Sequence, residues 1–166
     1  MPFASHHITE ARGAIVLELK RELDSRRDVF PDRINKGRMQ QREADYQISV
    51  WQEISANVGE KLGSADWHVT GRKHSWRQKI EALDRELDYR RRLYPDRVDK
   101  GRMDNATAQH RIEIVQMVRD LYWRHMFGWD LPPGVERGSD AYHDAVWKHI
   151  ELVDRGDETT QQELGI

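Results

Sequence analysis

The chain has 166 residues, 37% of them hydrophobic and 34% charged, with a formal net charge of -2 and no cysteine. Disulfides, thiolate nucleophiles and cysteine-based zinc sites are thereby excluded, and no apolar run approaches the ~20 residues that a membrane-spanning helix needs. The near-neutral total also carries no global electrostatic mark of a nucleic-acid binder.

The length suits one ordinary domain or two small ones. With so much charge, the expected helices are amphipathic rather than buried all round. The first fifteen residues are mixed polar, so no secretory signal is expected there, and a cytoplasmic protein fits. Charge is unevenly spread. Residues 20 to 42 carry eight Lys/Arg against four Asp/Glu, whereas residues 127 to 166 carry nine Asp/Glu against three Lys/Arg.

The strongest signal is a tandem repeat. Leu19 to Ile48 aligns without gaps onto Leu83 to Ile112, an offset of 64, with sixteen of thirty positions identical. Identities include Glu22/Glu86, Leu23/Leu87, Arg26/Arg90, Pro31/Pro95, Gly37/Gly101 and Ala44/Ala108. Duplication of one supersecondary unit explains this. The expected organisation is a helical hairpin over 9–62, a connector over 63–76, a second hairpin over 77–127, and a Pro/Gly loop, helix and acidic tail over 128–166. The expected class is all-α, with two hairpins packed together and a C-terminal helix.

In the first unit, Val16, Leu19, Leu23 and Phe30 fall on roughly one helical face; in the second, Ile80, Leu83, Leu87 and Tyr94 do. Pro31 and Pro95 disfavour helical geometry at the preceding aromatic, so the first arm of each unit should stop there. The turn is then PDRINKGRM or PDRVDKGRM, about nine residues. Gly37 and Gly101 are expected to supply a positive φ. Asp104 suits the N-cap of the second arm, and Gln40 is a poorer one. The second arms carry Ala44, Ile48, Trp51, Ile54 and Val58, or Ala108, Ile112, Val115, Val118 and Tyr122, at helical spacing.

Each large apolar side chain contributes roughly 1.5 to 3 kcal/mol when fully buried. One hairpin has few of them and cannot offset its own ordering entropy. The units should therefore pack on each other or on another subunit, which leaves a homo-oligomer open. The second unit, with Ile114, Met117, Leu121 and Trp123, is the better candidate for the buried centre. Trp67 and Trp76 suggest that the connector packs. Ser139 should cap the last helix, with Gly156 ending it and a polar, frayed tail beyond.

The string Phe30/Tyr94-Pro-x-x-Val/Ile-x-x-Gly-Arg-Met, followed by Ala and Ile on a helix, resembles a family of short phage and prophage proteins. Members carry a Tyr-Pro-x-x-Val-x-x-Gly-Arg-Met/Leu box after an Arg-rich helix, typically with Ser or Thr after the Met. This chain looks like two such boxes in tandem, over about residues 15–58 and 79–122. The resemblance implies a phage or mobile-element origin and no activity. Gln40 and Asp104 depart from the usual Ser/Thr, which weakens the cap in the first copy.

The candidate binding residues are the cations of the two turns: Arg33, Lys36 and Arg38, with their copies Arg97, Lys100 and Arg102. Arginine forms bidentate contacts with carboxylates and phosphates, so two copies of an anion site are one reading. The competing reading is structural. Arg26, Arg27 and their copies lie in the last turn of a helix, where cations satisfy carbonyls and the dipole, and Asp24 and Asp32 could pair with them. Trp129, beside its Pro-rich loop, is a candidate interface anchor, because Trp is favoured at hot spots. The acidic tail could cover the basic turns or simply be a solvated end.

No catalytic or metal-ligating residue is assigned and no cofactor is expected. His110 and Glu113 have helical ligand spacing without a mirroring pair. His143-Asp144 resembles a fragment of a metal phosphohydrolase motif but lacks its partners, and no Gly-rich phosphate loop occurs. The leading expectation is a non-enzymatic helical module that binds a host or phage protein. Nucleic-acid binding through the basic turns comes second, and a helical hydrolase a distant third.

Overall fold

A computed structural model describes residues 5–60 and 73–125 and, near the C-terminus, 134–136, 139–145, 147, 148 and 151. The described residues are all-α. Helix α1 spans Ser5–Asn35 and α2 spans Gln41–Ile54, continuing as a π-helical segment, Ser55–Glu60. Helices α3 and α4 span Trp76–Asp99 and Asn105–His125. Helical residues 140–145 follow near the C-terminus. No helix among the described residues is long and apolar enough to cross a membrane.

Pro31 and Pro95 do not end their helices. Both lie inside, one turn before the end. Each ring removes one backbone donor, yet Phe30 and Tyr94 just before them are buried in the core. That tertiary packing outweighs the local pre-proline preference. The turn is correspondingly shorter, residues 36–40 and 100–104, because Pro-Asp-Arg belongs to the last helical turn.

What stops both helices is glycine. Gly37 and Gly101 adopt φ of +64° and +67°. The amide of Arg38 donates to the Arg33 carbonyl and that of Gly37 to the Ile34 carbonyl, at 2.8 and 2.9 Å. Arg102 and Gly101 repeat the pattern onto Arg97 and Val98, at 2.8 and 3.0 Å. These are Schellman motifs, which satisfy carbonyls that a helix end leaves without donors.

The restarts differ as expected. Gln40 makes no side-chain cap. Asp104 accepts from the Thr107 amide at 2.8 Å and from its hydroxyl at 2.7 Å. Helix α3 carries a capping box between Ser75 and Gln78. The Ser139 hydroxyl accepts from the Tyr142 amide at the start of the C-terminal helical residues.

Helix α1 packs against α2, its π-helical continuation and α4, while α3 packs against α4 and α2. Backbone contact between α1 and α3 is slight. The core joins Ile15, Leu19 and Leu23 of α1, Val50, Trp51 and Ile54 of α2, Trp76, Ile80, Ala82, Leu83 and Leu87 of α3, and Ile114, Val115, Val118 and Tyr122 of α4. Tyr142 closes it from the C-terminal segment. Both units thus contribute to one core. Val16 departs from expectation: it is exposed, and Ile15 takes the buried place. Met117 is exposed as well. Trp67, the Trp123 side chain, Trp129 and the tail beyond residue 151 lie outside the described residues.

Candidate functional site: an arginine-rich groove between the repeats

The space between α1 and α3 is bridged by side chains rather than filled by backbone. At its centre stand two residues and their repeat copies. Arg26 reaches Glu22 at 2.8 Å and crosses to Glu86 at 3.0 Å. Arg90 reaches Glu86 at 2.7 Å and crosses to Glu22 at 2.9 Å. The crossing contacts exchange under the 64-residue offset, the hallmark of an isologous, two-fold-like interface. The aromatic neighbours follow: Arg26 lies 5.7 Å from the Phe30 ring and Arg90 5.7 Å from the Tyr94 ring. Later residues of α1 meet earlier residues of α3, so the two helices run in opposed directions. Their Gly turns therefore point to opposite ends. Asn35 lies nine residues past Arg26, and Asp99 nine past Arg90, about 14 Å of helix in each case.

The symmetry is broken at three positions, one of them Trp51, whose ring lies 4.8 Å from Arg26 and whose copy is Val115. Glu18 adds a third carboxylate to Arg90, at 2.7 Å, and also pairs with Arg21 at 2.9 Å. Its copy in the second unit is Ala82. Arg111 lies 3.9 Å from Glu18, and its carbonyl accepts from Arg90 at 2.8 Å. The copy of Arg111 in the first unit is Gln47, which accepts from Arg26 at 2.6 Å.

Electrostatics follow from this packing. Burial alone would lower the Arg90 pKa, but Glu86, Tyr94 and Glu22 together hold it above the ordinary arginine value. The guanidinium is therefore a permanent charge. Burial, with Glu22 close by, raises the Glu86 pKa against the pull of Arg90 and Arg26. Burial likewise raises that of the Tyr94 phenol.

A groove of about 450 Å³ runs over this cluster. From Glu18 to Arg33 it follows α1 over sixteen residues, about 22 Å of helix. Seven arginines line it, at 21, 26, 33, 85, 90, 97 and 111, against three glutamates, at 18, 22 and 86. Arg33 and Arg85 make no side-chain ion pair or hydrogen bond among the described residues, and Arg97 lies only over the Tyr94 ring, at 5.6 Å.

The candidate cations of the two turns are thus divided. Arg33 and Arg97 line the central groove. Lys36 and Lys100 pair with Asp32 and Asp96, at 2.8 and 2.9 Å, on exposed surface. Arg38 and Arg102 are exposed and make no side-chain ion pair or hydrogen bond among the described residues. The two triplets do not converge, because α1 and α3 diverge from the central cluster. Sequence reasoning missed the cluster itself: it placed Arg26 against the helix end and Asp24. The available signal was Glu22/Glu86 four residues before Arg26/Arg90, an i,i+4 pair present in both copies.

A second buried polar group is structural. Lys79 is fully buried with its ammonium 2.6 Å from Glu53 and donating to Asn57 at 3.0 Å. Glu53 also accepts from the amides of Lys73 and His74, at 2.9 and 3.1 Å. These contacts tie the π-helical segment and the lead-in to α3 together. No group of three or more His, Asp or Glu suited to a metal occurs among the described residues. His110 and His143 are exposed. No family model, curated protein or solved structure matches the chain.

Proposed function

We infer that this protein is a non-enzymatic helical interaction module that binds a protein partner through the groove between α1 and α3. One observation carries the reading: seven arginines face three glutamates in that groove, and Arg33 and Arg85 have no partner among the described residues. Unpaired guanidiniums flanking aromatic side chains are suited to acidic and aromatic residues of a protein. The Tyr-Pro box resemblance supports a phage or prophage origin, with a host or phage protein as the target in the cytoplasm.

The groove suits a polyanion less well. Glu18, Glu22 and Glu86 interrupt its positive charge, whereas a nucleic-acid track needs continuous phosphate neutralisation. Nucleic-acid binding is the second reading, and it draws on the exposed, unpaired Arg38 and Arg102 at the two ends. The test compares wild type with Arg33→Glu/Arg85→Glu in capture from host and infected-cell extracts, with and without nuclease. A specific protein retained by the wild type and lost by the variant is the expected result. Capture that survives the double reversal, or that vanishes with nuclease, would sink the groove reading.

A further inference from the structure

We propose that the groove holds a carboxylate subsite beside Arg26 and Arg85, which an Asp or Glu side chain of the protein partner enters. This rests on the groove being the binding surface.

The argument comes from the broken two-fold. In one half, a single carboxylate, that of Glu18, serves Arg21 at 2.9 Å and Arg90 at 2.7 Å. The copies of Arg21 and Arg90 in the other half are Arg85 and Arg26. The position that should serve them is occupied by Ala82, whose methyl group lines the groove. The consequence is visible at both arginines. Arg85 makes no ion pair or hydrogen bond among the described residues. Arg26 meets two carboxylates, the neutral Gln47 amide and the Trp51 ring, where Arg90 meets three carboxylates. The crossed Arg26–Glu86 and Arg90–Glu22 pairs are the same in both halves, and Ala82, Arg26 and Arg85 line one groove where the other half holds the Glu18 side chain.

A carboxylate is the chemistry that fits. The first half shows one bridging this arginine pair. A phosphate dianion would bring more charge into a floor that already holds Glu22 and Glu86. The partner segment should therefore present one acidic side chain to this end of the groove.

The test supplies the missing carboxylate from within. A fluorescent hexaglutamate peptide is titrated at low salt against the full chain and four variants, Ala82→Glu, Ala82→Gln, Arg85→Ala and Arg33→Glu. Ala82→Glu should weaken binding at least tenfold and raise the melting temperature, and Ala82→Gln, which fills the same space without charge, should weaken binding less and leave the melting temperature lower than Ala82→Glu. Arg85→Ala alters an exposed residue, so it should fold normally and also weaken binding at least fivefold; this variant decides the matter if Ala82→Glu does not fold. Hexaglutamate binding that ignores both Ala82→Glu and Arg85→Ala overturns the subsite. If that binding is nevertheless lost in Arg33→Glu, the groove reading stands without it. Absence of hexaglutamate binding, or inorganic phosphate competing better than acetate, also overturns the carboxylate assignment, while partner capture sensitive to Arg33→Glu/Arg85→Glu would preserve the groove.

Discussion

Arg90 of the second repeat donates to Glu18 of the first across the groove, at 2.7 Å, with its own side chain almost wholly shielded from water. Three carboxylates converge on this guanidinium, so its removal strands buried negative charge. Arg90→Ala should cost about 3–5 kcal/mol, the range for breaking a buried ion pair. Arg26→Ala should cost less, because Arg26 is more exposed and meets one carboxylate fewer. Urea denaturation checks both, and equal losses would contradict the asymmetry. On a Glu18→Ala background the Arg90→Ala loss should shrink, since the residues share one network.

The two glycines offer a matched pair. A Cβ at Gly37 or Gly101 would meet nothing within 4 Å, so only the positive φ resists substitution. Gly37→Val and Gly101→Val should each destabilise by about 1–3 kcal/mol, whereas Asn, which tolerates this region, should cost less. Equal melting temperatures for the Val and Asn variants would show that backbone conformation is not the constraint.

The turn cations separate binding from folding. Replacing Arg33, Lys36 and Arg38 together with Ala should change stability by no more than about 1 kcal/mol, since the Lys36–Asp32 pair is exposed. The same holds for Arg97, Lys100 and Arg102. Partner binding should fall with Arg33→Ala or Arg97→Ala and stay nearly constant with Arg38→Ala or Arg102→Ala, because only the first two line the groove. The opposite order, with binding dependent on Arg38 and Arg102, would favour the nucleic-acid reading.

His74 predicts a pH effect. Burial lowers its pKa below 6.5, although Glu53 pulls it up; Lys79 and Lys73 push it further down. Between its folded and unfolded pKa values the unfolded chain binds more protons, so stability is lost as pH falls below 6.5. His74→Gln should remove that slope in melting temperature against pH. Asp104 acts at lower pH. Hydrogen bonds from Thr107 hold its pKa below 3.8, so its cap is retained above that value and lost as pH falls through the folded pKa. Asp104→Asn should flatten only this acid limb, and a steeper limb would contradict it.

Much of the architecture is legible in the sequence because it depends on local spacing. Helical periodicity located most of the core, including Leu19, Leu23, Ile80, Leu83 and Val115. The recurrent Gly marked both left-handed turns, and Asp104 marked its own cap. Pro31 and Pro95 misled, since the local cost of proline is visible in sequence while the burial of Phe30 and Tyr94 that outweighs it is not. Likewise, Arg33 and Lys36 stand three residues apart and look like one patch, yet one enters the groove and the other pairs with Asp32.

The sequence by itself determined the all-α class, the internal similarity at an offset of 64, the glycine turns and the identity of residues at equivalent positions. It could not determine how one copy meets the other. Only the tertiary structure brought α1 and α3 together in opposed directions, crossed Arg26 to Glu86 and Arg90 to Glu22, and set Ala82 opposite the role of Glu18. The physical reason is range. Capping, helix periodicity and positive φ act within a few residues, whereas the Arg90–Glu18 contact joins residues 72 apart and exists only once the shared core has formed around it.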